Sequence, residues 1–161
     1  RMKDRYVILR SIAFYLLRKD ILTTDEGKLV EYKGGLDDLL GKTMEFLNMK
    51  DQVFLKRLEY DFLNAMKLTS QVLDENAFRL TKTNKRKSPI NMNVFEVWTY
   101  LMILLLNRDV DYILIRESYQ ELINDKNFLD SIASHRDSSK KVDVRYKIVE
   151  DIYEELINND K

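Results

Sequence analysis

The sequence contains no cysteine, one proline and only four glycines. The absence of cysteine excludes disulfide bonds and thiolate-ligated metal sites, and it is compatible with the reducing cytoplasm, where we expect the protein to act. The scarcity of proline and glycine argues against an all-β fold, because such folds need many turns. With 161 residues, 45% of them apolar, we expect residues 1–161 to form one domain with a substantial core.

The chain also lacks net charge and long apolar runs. Its 27 basic and 27 acidic residues cancel, so no overall field draws it to nucleic acid or to a membrane. The longest strongly apolar run, residues 94–106, is interrupted by Glu96 and is shorter than the roughly 20 residues that span a bilayer. We therefore expect no membrane contact. Because translation does not start at an arginine such as Arg1, we expect an interior or C-terminal piece of a longer protein.

Apolar residues recur at helical spacing along most of the chain. This pattern predicts helices at about 1–19, 36–48, 51–75, 91–107, 111–124, 126–133 and 140–158. Ser88-Pro89 or Asn91 is expected to start the fourth helix. Residues 20–35 hold three of the four glycines and form a connection, in which a short strand at 28–33 would lack a partner. Since the fourth helix is apolar nearly all round, the prediction is an all-α, bundle-like domain of six or seven helices around it.

Three charged residues occupy positions where apolar residues are expected. Arg10 is the only charge between residues 6 and 17, Glu96 is the only charge in the fourth helix, and Arg145 lies on the inward stripe of the last helix. A buried charge without a partner costs several kcal/mol, so such residues form pairs or lie at the rim of the core. We predict that Arg10 or Arg145 contacts Glu96 inside the domain, with a structural rather than a catalytic role.

A basic stretch precedes the fourth helix. Residues 79–90 contain no acidic residue and five basic ones: Arg79, Lys82, Lys85, Arg86 and Lys87. Five positive side chains over this length could hold the phosphates of a nucleic acid, but the stretch has no aromatic residues for base stacking. Basic loops are common on proteins that bind nothing, so we favour a solvated connection and keep phosphate contact as the second interpretation.

No group of residues has the pattern of a catalytic or metal site. His135 is the only histidine, and no second histidine or cysteine can share a metal ion with it. Glu26 and Lys28 faintly resemble half of a metal-dependent nuclease motif, but their glycine-bearing loop favours a plain turn. Acidic pairs such as Glu117 and Glu121 alternate with basic residues, as on a solvated helix face. We therefore assign no catalytic residue, no metal and no cofactor to this chain.

Five segments occur in an order that is typical of one bacterial family: "RMKDRYVILRSIAFYLL" (1–17), "LDDLLGKTMEFLN" (36–48), "FLNAMKLTSQVLDENAFRL" (62–80), "SPINMNVFEVW" (88–98) and "KKVDVRYKIVEDIYEEL" (140–156). In these segments the chain resembles the helical region of the GmrSD-like proteins, a family described as a domain of unknown function with a ParB-like N-terminal part. The resemblance covers nearly the whole chain. None of the five segments is a catalytic signature.

The resemblance implies a role in defence against foreign DNA. GmrSD-like proteins look like nucleotide-dependent restriction proteins, whose ParB-like part carries an Asp-Gly-Gln-Gln-Arg motif and some of which add a histidine-based nuclease domain. This chain has neither the motif nor enough histidine for the nuclease. What the resemblance implies is therefore the helical domain after the ParB-like domain, with that domain as its partner and a nucleotide-dependent endonuclease as the parent protein. It also implies a structural role for Arg79, which lies in a recurring Ala-Phe-Arg phrase.

Two hypotheses of function follow. In the first, the chain is a non-catalytic accessory domain that supports the ParB-like domain and contacts DNA phosphates through the basic stretch. In the second, it is a protein–protein interaction or oligomerisation module without nucleic-acid contact. An exposed apolar patch of more than a few hundred Å² on a helix would favour the second hypothesis.

Overall fold

The computed structural model describes residues 2–80 and 88–158, and these residues form an all-α domain. Seven α-helices lie in this part of the chain, with a short 3-10 helix, Asp74–Asn76, after the third. They are α1 (Met2–Arg18), α2 (Leu36–Asn48), α3 (Gln52–Leu73), α4 (Met92–Leu105), α5 (Tyr112–Asn124), α6 (Lys126–Ile132) and α7 (Ser139–Asn158). The predicted fold class is confirmed, and the observed helix ends lie within two residues of the expected ones.

The central element is α4. Eleven of its fourteen residues are buried, and it packs against α1, α3 and α7. Val97, Trp98 and Thr99, which point in directions 100° apart around the helix axis, are all at most 1% exposed. A helix enclosed on every side needs apolar residues all round its axis, which explains the uniform composition of this segment. None of the helices within 2–80 and 88–158 combines the length and the apolar content that crossing a bilayer would need.

Polar side chains cap the beginnings of four helices. The Asn91 side-chain oxygen accepts hydrogen bonds from the backbone N–H groups of Asn93 and Val94 at 2.9 and 3.2 Å, so Asn91 is the residue that starts α4. Aspartates cap three further helices in the same way: Asp51 for α3, Asp111 for α5 and Asp125 for α6. Each cap occupies N–H groups that have no partner inside the first turn.

The connection between α1 and α2 is a turn rather than a strand. Thr23 and Leu29 form one isolated β-bridge, and a tight turn between them places Gly27 at φ +76°. No strand forms at 28–33, because nothing in this connection provides a second strand for continued pairing. The connection instead carries Tyr32 to the surface loop between α6 and α7, where it contributes to the site described next.

Candidate functional site

A buried ion network connects α1, α4 and α7. The Glu96 carboxylate, in the middle of α4, accepts a short hydrogen bond from Arg10 Nε of α1. It also accepts hydrogen bonds from Arg145 of α7, at 2.9 Å from Nε and 2.5 Å from Nη2. All three side chains are at most 1% exposed. The contact predicted between Glu96 and one arginine is present, and it involves both arginines at once.

A second carboxylate balances the charge of this network. Arg10 Nη2 donates to Asp137 Oδ1 at 2.7 Å and to Asn93 Oδ1 at 3.1 Å. Arg145 Nη1 donates to the backbone carbonyl of Arg136 at 2.5 Å. The network thus contains two guanidinium groups and two carboxylates, of which only Asp137 is substantially exposed, at 33%. It extends from the core to the loop between α6 and α7.

The electrostatics of the network keep Arg10 charged. Burial by itself would lower the pKa of Arg10, but the charge of Glu96 and its hydrogen bond, together with Asp137, outweigh burial and raise the pKa. A guanidinium group that stays protonated at every accessible pH cannot act as an acid or a base. What the arrangement can do is hold three helices in one register, because each arginine–carboxylate contact has directional hydrogen bonds.

One tyrosine lies at the surface end of the network and another lies at its inner end. The Tyr32 hydroxyl donates to the backbone carbonyl of Asp137 at 2.5 Å, which ties the α1–α2 connection to the α6–α7 loop. Burial, followed by the charge of Asp137, raises the pKa of Tyr32 to about 12. Tyr146 is fully buried beside Phe14 and Tyr100, and burial raises its pKa well above the usual value. These hydroxyls are therefore neutral at physiological pH.

A shallow concavity of about 640 Å³ lies next to Asp137. Its lining comes from the two loops that Tyr32 joins, at residues 33–34, 133 and 135–139, and includes His135, Arg136 and Ser138. His135 is exposed and has a left-handed backbone, with φ +50°. Across residues 2–80 and 88–158, no group of three or more histidine, cysteine, aspartate or glutamate side chains could hold a metal ion.

The acidic candidates that the sequence offered lie on separate surfaces. Glu26 forms an exposed ion pair with Lys28 at 2.6 Å, in the turn of the α1–α2 connection. Glu117 and Glu121 are both exposed on α5. The structure brings neither set to the ion network or to the concavity.

Arg79 forms contacts that join the beginning of the basic stretch to its end. Its Nη1 donates to the backbone carbonyl of Ser88, and its Nε donates to the carbonyl of Glu75 at 3.0 Å. Its backbone N–H donates to the Tyr119 hydroxyl at 2.8 Å, and that hydroxyl donates to the Arg79 carbonyl at 2.9 Å. Arg79 also forms an isolated β-bridge with Ile90. These contacts join the two ends of the stretch and occupy Nε and Nη1 of the Arg79 guanidinium.

The other four residues predicted to contact phosphates lie outside the described residues. They are Lys82, Lys85, Arg86 and Lys87. Of the five predicted residues, only Arg79 lies among the described residues, and its contacts clamp the two ends of the basic stretch together.

Sequence reasoning missed two residues that complete these sites. Asp137 carries the second negative charge of the network, but in the sequence it is one polar residue among seven in a loop. Tyr119 clamps Arg79 from α5 and packs edge-on against Trp98, and in the sequence it is one of nine tyrosines. The charged residues that point inward weakly indicate a residue such as Asp137, because two buried arginines and one buried glutamate require a further acidic side chain to balance their charge.

Comparison with known proteins gives no match: no protein-family model, no curated protein and no solved structure is significantly similar to this chain.

Proposed function

We propose that this chain is a helical accessory domain of a bacterial DNA-restriction or anti-phage protein of the GmrSD-like kind. In this proposal the domain is non-catalytic by itself and supports a nucleotide-dependent ParB-like domain of the same protein. It acts in the cytoplasm and contacts DNA phosphates through the basic stretch, residues 79–90. The parent protein is then a nucleotide-dependent endonuclease whose chemistry lies in other domains.

The support comes from where the residues of the five family-like segments lie. Arg10 belongs to the first segment, Glu96 to the fourth and Arg145 to the fifth, and these three form the buried ion network. Arg79 of the third segment donates to the Ser88 carbonyl of the fourth. These hydrogen bonds thus join four of the five segments that resemble the family. A resemblance of this kind favours a shared scaffold rather than a shared reaction centre.

The geometry of the basic stretch supports the DNA contact. The Arg79 clamp holds residues 79 and 88 together, and four basic residues lie between these two positions in the sequence. A loop with fixed ends can present several positive charges to one phosphate backbone, and such contacts need no base-specific geometry. We assign the contact to Lys82, Lys85, Arg86 and Lys87, because Arg79 is already engaged with backbone carbonyls.

The test replaces Lys85, Arg86 and Lys87 together by alanine and measures binding to a short DNA duplex over a range of salt concentrations. We expect weaker binding and a slope of log K against log[salt] that is smaller by about two to three units, since each lost phosphate contact removes about 0.9. The matched control replaces three exposed lysines elsewhere, Lys28, Lys126 and Lys147, with the same change in charge. Equal binding by the triple variant and the unchanged protein at low salt would refute the DNA contact.

A second candidate function is favoured by one observation. Exposed apolar side chains lie on the side of α3 that faces away from the core, with Val53 78% and Tyr60 62% exposed. Exposed apolar surface on a helix is typical of a protein–protein interaction module. The second candidate is therefore a module that binds another protein through α3.

A further inference from the structure

The outer face of α3 carries apolar residues that nothing in the described chain covers. Val53, Tyr60 and Leu63 are 78%, 62% and 50% exposed. At 100° per residue they lie within about 80° of each other, and they point away from buried residues such as Leu58 and Ala65. A helix at the surface of a lone domain carries polar side chains on its outer side. The core-facing side and the outer side of α3 therefore both carry apolar residues that burial would stabilise.

Two lysines lie within the same face. Lys56 and Lys67 are exposed and lie between the apolar residues in angle around the helix. The intrahelical ion pair of α3 joins Arg57 to Asp61 and leaves both lysines without a carboxylate partner among the described residues. We call Val53, Lys56, Tyr60, Leu63 and Lys67 the α3 outer face.

The spacing of this face argues against a second copy as its occupant. Lys56, Tyr60, Leu63 and Lys67 are separated by four, three and four residues, so the pattern is the same in both chain directions. A second copy packed in register, parallel or antiparallel, would place lysine against lysine at both ends of the contact. Like charges brought together in an interface disfavour that pairing.

We propose that the α3 outer face binds an acidic amphipathic helix of a partner protein. The complementary helix has two apolar residues that pack on Tyr60 and Leu63, and two carboxylates that pair with Lys56 and Lys67. The lysines are 11 residues apart, or about 16 Å along the helix axis. The partner helix therefore carries an acidic residue at i, apolar residues at i+4 and i+7, and an acidic residue at i+11. Binding centres on the tyrosine, and the charges select the partner.

This inference rests on the second candidate function and names the chemistry of its partner. It does not depend on DNA binding by the basic stretch. A chain whose Lys85, Arg86 and Lys87 are replaced by alanine is expected to bind the acidic helix as before, so failure of one proposal leaves the other in place.

The test uses the whole chain and two synthetic helical peptides. Both peptides have leucine at i+4 and i+7, and they differ only at i and i+11, where the acidic peptide has glutamate and the basic peptide has lysine. We expect the acidic peptide to bind at least tenfold more tightly, with amide chemical-shift changes that concentrate on α3. Tyr60→Ala should weaken this binding about tenfold or more, whereas Leu29→Ala, which removes an exposed apolar residue in the α1–α2 connection, should not change it.

A charge-swapped variant provides the decisive comparison. With Lys56→Glu and Lys67→Glu together, the preference should reverse, so that the basic peptide binds more tightly than the acidic one. Equal affinity of the two peptides, or no shift change on α3 with either, would overturn the proposal. A dimer of the chain that buries α3, measured by sedimentation, or displacement of the acidic peptide from α3 by duplex DNA, would also overturn it by assigning the face to another occupant.

Discussion

Replacing Glu96 by glutamine keeps the shape of the side chain and removes its charge, so it tests the ion network with little change in packing. Glu96 is the carboxylate that both arginines share. Without it, Arg10 keeps one carboxylate, Asp137 at 2.7 Å. Arg145 keeps the carbonyl of Arg136 and a neutral amide oxygen at position 96, so it becomes a fully buried charge without a carboxylate partner.

The expected loss of stability is large for this reason. Removing one partner of a buried ion pair costs about 3–5 kcal/mol, because the remaining charge stays desolvated. Domains of this size unfold with a free energy of about 5–15 kcal/mol. Glu96→Gln should therefore remove about a fifth or more of the stability, and the melting temperature should fall by about 6–20 °C.

Urea denaturation provides the assay. Trp98 is the only tryptophan and is fully buried against Tyr119, so its fluorescence reports unfolding of the core. Glu117→Gln, at an exposed position on α5, is the matched control and should change the free energy of unfolding by less than about 0.5 kcal/mol. A loss of less than about 1 kcal/mol in Glu96→Gln, with an unchanged dependence on urea, would refute the reasoning.

Two further variants distinguish the effect on stability of removing a buried charge from the effect of leaving a buried charge without a partner. Arg10→Met should cost less than Glu96→Gln, because Glu96 remains paired with Arg145 and the partly exposed Asp137 can be hydrated. Replacing the whole set by apolar residues (Arg10→Met, Glu96→Leu and Arg145→Met together) should leave the stability unchanged or raise it, since no buried charge remains in the core.

The remaining predictions concern tyrosines and glycines. Burial raises the pKa values of Tyr32 and Tyr119 to about 12 in the folded protein, from 10 in the unfolded chain. Because the folded state favours the neutral hydroxyls, their contribution to the free energy of unfolding is complete below pH 10 and is lost as the pH rises to about 12. The ultraviolet absorbance of tyrosinate should show both ionising above pH 10 or together with alkaline unfolding, and ionisation of either at pH 10 in the folded protein would contradict this. Gly34→Ala should cost about 1–2 kcal/mol because Gly34 has φ +93°. Gly41→Ala should instead add about 0.5–1 kcal/mol, since Gly41 lies in α2 and an added Cβ would meet no atom within 4 Å. Urea denaturation measures the free energy of unfolding of both variants, and equal effects would show that backbone conformation does not decide them.

The helices could be predicted from the sequence because their signals are local. Asn91 caps α4 through its own next three residues, and the uniform apolar composition of α4 reports its burial directly. Arg145 was found in the same way, because its position on the inward stripe of α7 follows from helical periodicity alone. Local patterns thus indicate three members of the ion network: Arg10, Glu96 and Arg145.

Loop contacts could not be predicted, since they depend on how distant segments meet. Asp137 reaches Arg10 across 127 residues of sequence, and no period in a polar loop indicates which of its side chains turns inward. Tyr119 follows a helical pattern that predicts burial, but its hydroxyl pairs with the backbone of Arg79, 40 residues earlier. The acidic residue that balances a buried charge and the hydroxyl that closes a loop are both set by tertiary structure.

The order in which the network residues leave the ribosome has a consequence for synthesis in the cell. Arg145 follows Glu96 by 49 residues, which takes about 2–10 seconds at a typical rate of translation. During that interval α1 and α4 have been made, but the glutamate between them lacks its second arginine and the last helix is missing from one side of α4. The nascent chain exposes its most apolar helix for these seconds, so codons that slow translation after α4 should increase capture by chaperones, and codons that speed it should reduce capture.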